Sequence, residues 1–144
     1  MKNVFKTCLL VSLFALFTVS CVEEHYTSST DVWIFAKEYE VGTPQRPWIK
    51  EGPGLFFCDI TINELSHDVY NNGILMAYFV YKVGNTLVDS PLPFDDFFMD
   101  KDGYRYTYQY TCEFSPRRVT FTFKDNSFFE QEPGRCTFVV KLMR

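Results

Sequence analysis

The sequence predicts an all-β chain, an antiparallel β-sandwich of about seven strands that follows an N-terminal signal segment. The 144 residues include 16 Phe, 9 Tyr and 2 Trp, and aromatic residues suit the pleated, half-buried surface of a strand. In residues 104–114 and 118–124, aromatic or apolar side chains alternate with polar ones without interruption. This alternation is typical of strands with one buried face. Short apolar segments between closely spaced turn residues favour a sandwich over a closed barrel.

The individual strands are predicted from this alternation and from apolar runs between turns. In chain order they are residues 31–37, 48–50, 55–62, 74–82, 86–89, 104–114, 118–124 and 137–143. The first is continuously apolar between its ends, which predicts burial on both faces. The second is a short edge strand within a long loop, residues 38–53, that glycine and proline interrupt.

Two other segments are predicted to lack strands. Residues 63–72 are polar and suit one helical turn capped by Asn63. Residues 90–103 hold two prolines and the aspartates Asp95, Asp96, Asp100 and Asp102. We interpret residues 100–103 as a hairpin turn, because Asp and Gly tolerate left-handed backbone geometry. A calcium loop is disfavoured because Phe98 occupies the place of the first ligand.

The strand over residues 104–114 carries a ladder of aromatic side chains. One face holds Tyr104, Tyr106, Tyr108, Tyr110, Cys112 and Phe114. Exposed tyrosines stack on sugar rings and bond sugar oxygens, so a binding surface is one interpretation of the ladder. The opposite face carries Arg105 and Glu113, however. We therefore expect the rings to point into the core, where each contributes on the order of 2 kcal/mol.

The N-terminus has the features of a secretory signal. Lys2 and Lys6 precede an uncharged, mostly apolar run over residues 7–19, and small residues stand before the expected cut. The run is shorter than the roughly 20 apolar residues that a membrane helix needs. Cys21 directly after Thr18-Val19-Ser20 resembles the lipobox of bacterial lipoproteins, in which the signal is removed before the cysteine and the thiol is acylated. The alternative is a signal without lipidation.

The lipobox resemblance implies a signal peptide over residues 1–20, a polar tether over 21–30 and a β-sandwich domain over 31–144. Acyl chains such as palmitate on Cys21 would anchor the domain to a membrane, since each buried CH₂ contributes about 0.8 kcal/mol. The Glu23-Glu24 pair is similar to the export signal of surface lipoproteins in the Bacteroidota. We therefore expect the protein in a bacterial cell envelope, at the outer membrane, with its domain exposed at the cell surface.

The charge balance disfavours one class of partner. The net charge is −4, and loss of Lys2 and Lys6 with the signal would make it more negative. The remaining chain has no run of basic residues that could follow a phosphate backbone. We expect no nucleic-acid partner.

Three cysteines, Cys58, Cys112 and Cys136, remain beyond the signal and the lipidation site. An envelope location permits one disulfide, and three pairings are possible. We prefer Cys58 with Cys112, because both fall on the predicted inward face of strands. The alternative is three buried free thiols that pack as small hydrophobic groups. No Cys-x-x-Cys is present, and two histidines are too few to complete a zinc site.

No residue pattern predicts catalysis. A hydrolytic triad needs a histidine beside a nucleophile and an acid, whereas His67 lies in a polar segment between sequence neighbours that seldom face each other. The adjacent Asp95 and Asp96 project in different directions and do not form an acid and base pair held across a bond. We predict no enzyme activity, no catalytic residues, no metal and no cofactor.

The predicted contact with a partner centres on Trp48. It lies in a proline-rich loop beside Arg46 and Lys50, where a half-exposed indole could anchor a polysaccharide or an envelope protein. The indole could equally cap one end of the sandwich. The main hypothesis is a noncatalytic binding or accessory module that uses loops around Trp48 and residues 90–103. The alternative is a structural subunit of a surface or fimbrial assembly that joins its neighbours through edge strands.

Several segments resemble a group of Bacteroidota lipoproteins without an established activity. They are Asp68-Val69-Tyr70-Asn71-Asn72-Gly73 with the strand Ile74–Tyr81, Pro91-Leu92-Pro93-Phe94, the tyrosine-rich hairpin and Thr137-Phe138-Val139-Val140. The resemblance covers about half of the chain beyond the signal and implies a β-sandwich on a lipid anchor. It implies no functional residues.

Overall fold

A computed structural model describes residues 34–127 and 130–144. The predicted signal peptide over residues 1–20, the lipidation site Cys21 and the tether over 21–30 lie outside these residues. The same holds for the first three residues of the predicted domain, 31–33. Within the described residues, no helix has the length and apolar character needed to cross a bilayer.

The described chain forms two antiparallel sheets, which confirms the predicted all-β sandwich. Its elements are β1 (Ile34–Val41), β2 (Ile49–Gly52), β3 (Leu55–Thr61), α1 (His67–Asn72), β4 (Ile74–Val83), β5 (Thr86–Pro91), β6 (Phe94–Met99), β7 (Arg105–Ser115), β8 (Arg118–Asp125) and β9 (Cys136–Met143). Sheet I has the order β1-β9-β4-β5, and sheet II has the order β2-β3-β8-β7-β6. The described chain thus contains nine strands rather than about seven.

Three elements differ from the sequence prediction. The strand β1 lies at the edge of sheet I and buries one face only, with Phe35, Tyr39 and Val41 inward and Ile34 exposed. The strand β6 falls within the predicted loop 90–103, because its register with β7 from Phe94↔Tyr110 to Met99↔Arg105 overrides the low strand propensity of aspartate. The helix α1 is capped by Ser66 and not by Asn63: the Ser66 Oγ accepts a hydrogen bond from the Val69 N–H at 3.2 Å.

Aromatic rings join the two sheets. Phe138 of sheet I and Phe121 of sheet II are fully buried, and their rings stack with centroids 4.2 Å apart. Tyr110 of sheet II stacks on Phe79 of sheet I at 4.3 Å. The predicted inward direction of the tyrosine ladder is therefore confirmed for Tyr110, which is 8% exposed.

Trp48 belongs to this core, so the expectation of a half-exposed indole is wrong. Its side chain is 6% exposed, and its ring lies 6.3 Å from those of Phe123 and Phe138. The indole Nε1–H donates a hydrogen bond to the Gly134 carbonyl oxygen at 3.1 Å. The loop that delivers Trp48 begins at Gly42, which has a φ of +81° and where an added Cβ would lie only 2.6 Å from the Gly134 carbonyl oxygen. Trp48 closes one end of the sandwich.

The preferred disulfide between Cys58 and Cys112 is also wrong, since all three described cysteines are free thiols. Cys58 of β3 and Cys112 of β7 pair with the same residue, Phe121 of β8, from opposite sides. Two strand spacings of about 4.8 Å therefore separate the cysteine backbones. A disulfide needs Cα atoms within about 7 Å, so the ring of Phe121 stands where the bridge would have to pass.

The two ends of the sandwich differ in composition. We call the end where Ile34 pairs with Met143 the base, and the end where Val41 pairs with Cys136 the tip. The base also carries α1 and the β7–β8 turn. The tip carries the β6–β7 turn and the connection from Asp125 to Cys136. The chain enters the described domain at the base.

Replacement of Trp48 by alanine is expected to lower the free energy of unfolding by about 3–5 kcal/mol, the usual cost of emptying a large aromatic site. Chemical denaturation measures the change. The matched control is Ile49→Ala, because Ile49 is the next residue and is 49% exposed; its effect should stay within about 1 kcal/mol. A Trp48→Ala variant as stable as the Ile49→Ala variant would contradict the core position of the indole.

The thiols are expected to react slowly in the folded chain. Burial raises the pKa of Cys112 and of Cys136 to about 11 from an ordinary 9.0, which leaves roughly a hundredfold less thiolate at pH 8. Iodoacetamide at pH 8 should therefore alkylate Cys112 and Cys136 at least about tenfold more slowly before denaturation than after it. A Cys58–Cys112 linked peptide after mild oxidation, found by mass spectrometry, would contradict the register of sheet II.

Candidate binding site at the tip

The hairpin of β6 and β7 extends beyond the rest of sheet II. The strand β7 has 11 residues, yet its pairing with β8 begins only at Tyr108↔Asp125. Residues 105–107 have strand partners only in β6, apart from the hydrogen bond that the Asn126 N–H donates to the Thr107 carbonyl oxygen. Side chains on this part of the hairpin therefore extend past the core, and the aromatic ladder loses its cover there.

Several hydrogen bonds close the turn between β6 and β7. One carboxylate oxygen of Asp100 accepts hydrogen bonds from the backbone N–H groups of Asp102 and Tyr104, each at 2.9 Å. Gly103 has a φ of +84°, which glycine adopts without strain. The predicted hairpin turn over residues 100–103 is confirmed, and it holds Tyr104 in place.

Exposure of the aromatic ladder rises along β7 toward this turn. Tyr110 is buried, Tyr106 and Tyr108 are half-buried, and Tyr104 is 67% exposed. The core interpretation of the ladder is therefore wrong for Tyr104. Phe98 of β6, which the sequence interpretation assigned to a loop, stacks on Tyr106 with centroids 6.1 Å apart and an angle of 19°. It also lies 4.6 Å from Tyr108.

A cleft of about 460 Å³ opens beside these rings. We call it the tip cleft; its lining residues are Asp100, Asp102, Tyr104, Arg105, Tyr106, Asn126 and Ser127. One wall is the β6–β7 turn, and the other is the segment that follows β8. Aromatic rings, carboxylates, an amide and a hydroxyl thus surround one space at the surface.

The second wall depends on a buried carboxylate. Asp125 is 5% exposed and accepts hydrogen bonds from the Ser127 N–H at 2.6 Å, the Ser127 hydroxyl at 2.8 Å and the Gln131 N–H at 2.8 Å. The Asn126 N–H donates to the Thr107 carbonyl at 3.1 Å. Asp125 therefore fixes Asn126 and Ser127 against the hairpin.

Acidic residues outnumber basic ones among the residues that line the tip cleft. Asp100 and Asp102 line it with a single cation, Arg105, and Asp96 lies on the same side of β6 as Phe98. Burial, followed by the charge of Asp125, raises the pKa of Tyr108 above its usual value. The Tyr108 hydroxyl therefore keeps its proton at neutral pH and donates to the Gln131 side-chain oxygen at 3.5 Å.

The residues predicted to contact a ligand are engaged within the protein. Trp48 is buried, and the Arg46 guanidinium lies 5.5 Å from the centre of the Tyr39 ring. The Lys50 ammonium forms a salt bridge with Glu130 at 3.0 Å. The structure does not bring Trp48, Arg46 and Lys50 together around any of the cavities described here.

Two other cavities are less suited to a ligand. A groove of about 460 Å³ crosses the outer face of sheet II at Phe57 and Thr120. It is the wet face of an antiparallel sheet, where Asp59 is already bonded to Thr120 at 2.5 Å. A smaller space of about 290 Å³ beside Cys112 and Leu75 lies at the open side between the sheets. Neither combines exposed aromatic rings with free polar groups.

Sequence reasoning did not find Asn126 and Ser127 as members of a site, and it placed Phe98 in a loop and not on a strand. The alternation of Phe94, Asp96 and Phe98 was the available signal for β6. No local pattern places residues 126 and 127 near the hairpin, because that contact depends on the Asp125 hydrogen bonds. Across residues 34–127 and 130–144, no three His, Cys, Asp or Glu side chains are placed to ligate a metal ion together.

Comparison with known proteins gives no relative. No protein-family model matches the chain, and neither a curated protein nor a solved structure matches it. The resemblance to Bacteroidota lipoproteins stays a prediction.

Replacement of Asp125 by alanine should release the second wall of the tip cleft. The N–H groups of Ser127 and Gln131 would lose a charged acceptor, and a hydrogen bond to a charged group contributes about 1.5–3 kcal/mol. We expect faster amide hydrogen exchange at Ser127 and Gln131 and a lower free energy of unfolding. The control is Asp95→Ala, since Asp95 is exposed and accepts only a surface hydrogen bond from Gln109 at 3.0 Å. Unchanged exchange in the Asp125→Ala variant would contradict this role.

Proposed function

We propose that the protein is a noncatalytic binding module, held at a bacterial envelope membrane by a lipid on Cys21 and contacting its partner through the tip cleft. The observation that supports it most is the set of aromatic rings held in position beside this cleft. Tyr104 is 67% and Phe98 is 38% exposed, although both belong to an ordered hairpin. Aromatic residues that remain exposed on a rigid surface are typical of binding sites.

The direction in which the chain enters the domain suits this role. The chain enters at Ile34 at the base, and β1 then runs the length of sheet I to Val41 at the tip. Eight residues of strand span roughly 23 Å between their first and last Cα atoms. An anchor on the N-terminal side of Ile34 therefore attaches to the end of the sandwich opposite to the cleft. The hairpin would point away from the membrane, toward partners at the envelope surface.

The carboxylates of the cleft support binding rather than catalysis. Asp100 is bonded to two backbone N–H groups of its own turn, and Asp102 is exposed to solvent. General acid catalysis by a carboxyl group usually needs that group to be buried beside the reacting atoms. The tip cleft does not provide that burial, whereas exposed carboxylates accept hydrogen bonds from a ligand without further change.

Loss of the exposed rings should weaken binding without unfolding the domain. We expect Phe98→Ala combined with Tyr104→Ala to reduce retention on isolated envelope material at least about tenfold, since central aromatic contacts commonly contribute 2 kcal/mol or more. The matched control is Phe97→Ala. Phe97 is 76% exposed but projects from the opposite face of β6. Equal losses in the Phe97→Ala variant and the double variant would contradict a role for the cleft.

The anchor is tested separately. The Cys21→Ala variant should move from the membrane fraction to the soluble fraction, and the wild-type chain should incorporate labelled palmitate. An unchanged membrane fraction, with Met1 still present by mass spectrometry, would contradict the lipid anchor.

A structural subunit remains the second candidate, and one observation favours it. The edge strands β5 and β6 expose Leu87, Phe97 and Met99 at 70%, 76% and 67%, and apolar edge strands can pair with another chain. Asp95 and Asp96 on β6 oppose such pairing, because charges on an edge strand discourage it. Filaments that form with rising protein concentration would favour assembly over binding.

A further inference from the structure

We infer that the tip cleft takes a neutral polysaccharide and discriminates against sulfated or uronate-containing chains. This inference rests on the proposed binding function and names the ligand class of the same site. A sugar ring would stack on Tyr104 and Tyr106, and its hydroxyl groups would bond Asp102 and Asn126.

The rings of the cleft form a stacking surface. Tyr106 lies beside its cross-strand partner Phe98, with ring centroids 6.1 Å apart and an interplanar angle of 19°, and Phe98 is itself packed against Tyr108 at 4.6 Å. These contacts restrict the Tyr106 ring before a ligand binds, which lowers the entropic cost of binding. Tyr104 extends the aromatic surface toward solvent. An apolar face with polar tips suits a sugar, which has C–H faces and a hydroxyl rim.

The polar groups beside the rings fit a ligand rich in hydroxyls. The Asp102 carboxylate makes no hydrogen bond to another side chain within the described residues, and it can accept from two neighbouring hydroxyls. The Asn126 amide supplies both donors and an acceptor, and Arg105 supplies donors only. The cleft volume of about 460 Å³ lies within the range of about 300–1,000 Å³ for small-molecule sites. A stable protein partner would need a larger contact than this cleft, since specific interfaces bury about 800 Å² on each partner.

The charge of the cleft selects among polysaccharides. Two carboxylates, Asp100 and Asp102, line the cleft beside the stacking surface, and Arg105 is the single cation among the lining residues. Sulfate and carboxylate groups on a sugar chain would meet like charges here, and juxtaposed like charges disfavour binding. Neutral sugars meet the same carboxylates as hydrogen-bond acceptors. The inference therefore predicts a preference that depends on charge and not only on aromatic stacking.

The test uses the purified full chain in affinity electrophoresis. Neutral polymers (laminarin, starch, galactomannan and xylan) are compared with polygalacturonate and chondroitin sulfate at matched concentration and ionic strength. We expect retardation by at least one neutral polymer, with an apparent affinity at least about tenfold above that for either anionic polymer. Tyr104→Ala combined with Phe98→Ala should lose this retardation, and Phe97→Ala should keep it.

A charge variant separates selectivity from stacking. In Asp102→Asn the amide oxygen still accepts a hydrogen bond, so neutral retardation should stay within about threefold while the preference over polygalacturonate narrows. A preference for anionic polymers, or no retardation by any neutral polymer, would overturn the inference. Another outcome is that the wild-type protein captures envelope material that the double aromatic variant does not capture, and that protease treatment of the material removes this capture. In that case the binding function stands and the ligand class is wrong. Retardation that survives Tyr104→Ala with Phe98→Ala would overturn the assignment of polysaccharide binding to the tip cleft.

Discussion

Phe138 of β9 holds the two sheets together. Its side chain is fully buried, stacks on Phe121 of β8 at 4.2 Å and meets the edge of the Trp48 indole at 6.3 Å. The ring of Tyr110 of β7 lies 6.3 Å from the Phe138 ring. One side chain of sheet I thus contacts sheet II and the loop before it. Because interiors are packed as densely as crystals, these neighbours have little freedom to shift independently.

The tip cleft exists because this packed layer ends before the β6–β7 hairpin does. The strand β8 ends at Asp125, opposite Tyr108 of β7. Between Tyr108 and the β6–β7 turn, β7 therefore has only β6 as a strand neighbour. The rings of Tyr106 and Phe98 therefore pack against each other and not against sheet I. Asp125 then uses its carboxylate to place Asn126 and Ser127 opposite the rings. The core holds the base of the hairpin in position, and the difference in length between β7 and β8 leaves the end of the hairpin exposed.

Much of the fold was predictable from side-chain alternation. The hairpin of β7 and β8 appears in the sequence as two runs of period two, and its inward face at Tyr110, Val119 and Phe121 is the observed one. The strand β6 was not predictable in this way, since its aspartates resemble a turn and its pairing depends on β7. Alternation shows which face of a sheet a side chain lies on, but it does not show which strand lies next to its own. It therefore placed Cys58 and Cys112 inward without revealing that Phe121 separates them.

The candidate site was predictable only in part. The sequence drew attention to the tyrosine ladder and to residues 90–103, and both contribute to the tip cleft. Burial of the Trp48 indole depends on its contact with Gly134, which is distant in sequence, so proline-rich surroundings suggested exposure instead. The position of Asn126 likewise depends on tertiary hydrogen bonds. Local pattern indicates which residues could bind, whereas packing decides which remain accessible.

The most direct test of a binding surface at the tip is hydrogen exchange of the full chain with and without the polysaccharide that retards it most. The account predicts slower exchange at backbone amides of residues 100–106 and 126–127, with the base around α1 unchanged. Protection confined to the base, or to the outer face of sheet II around Thr120, would contradict it.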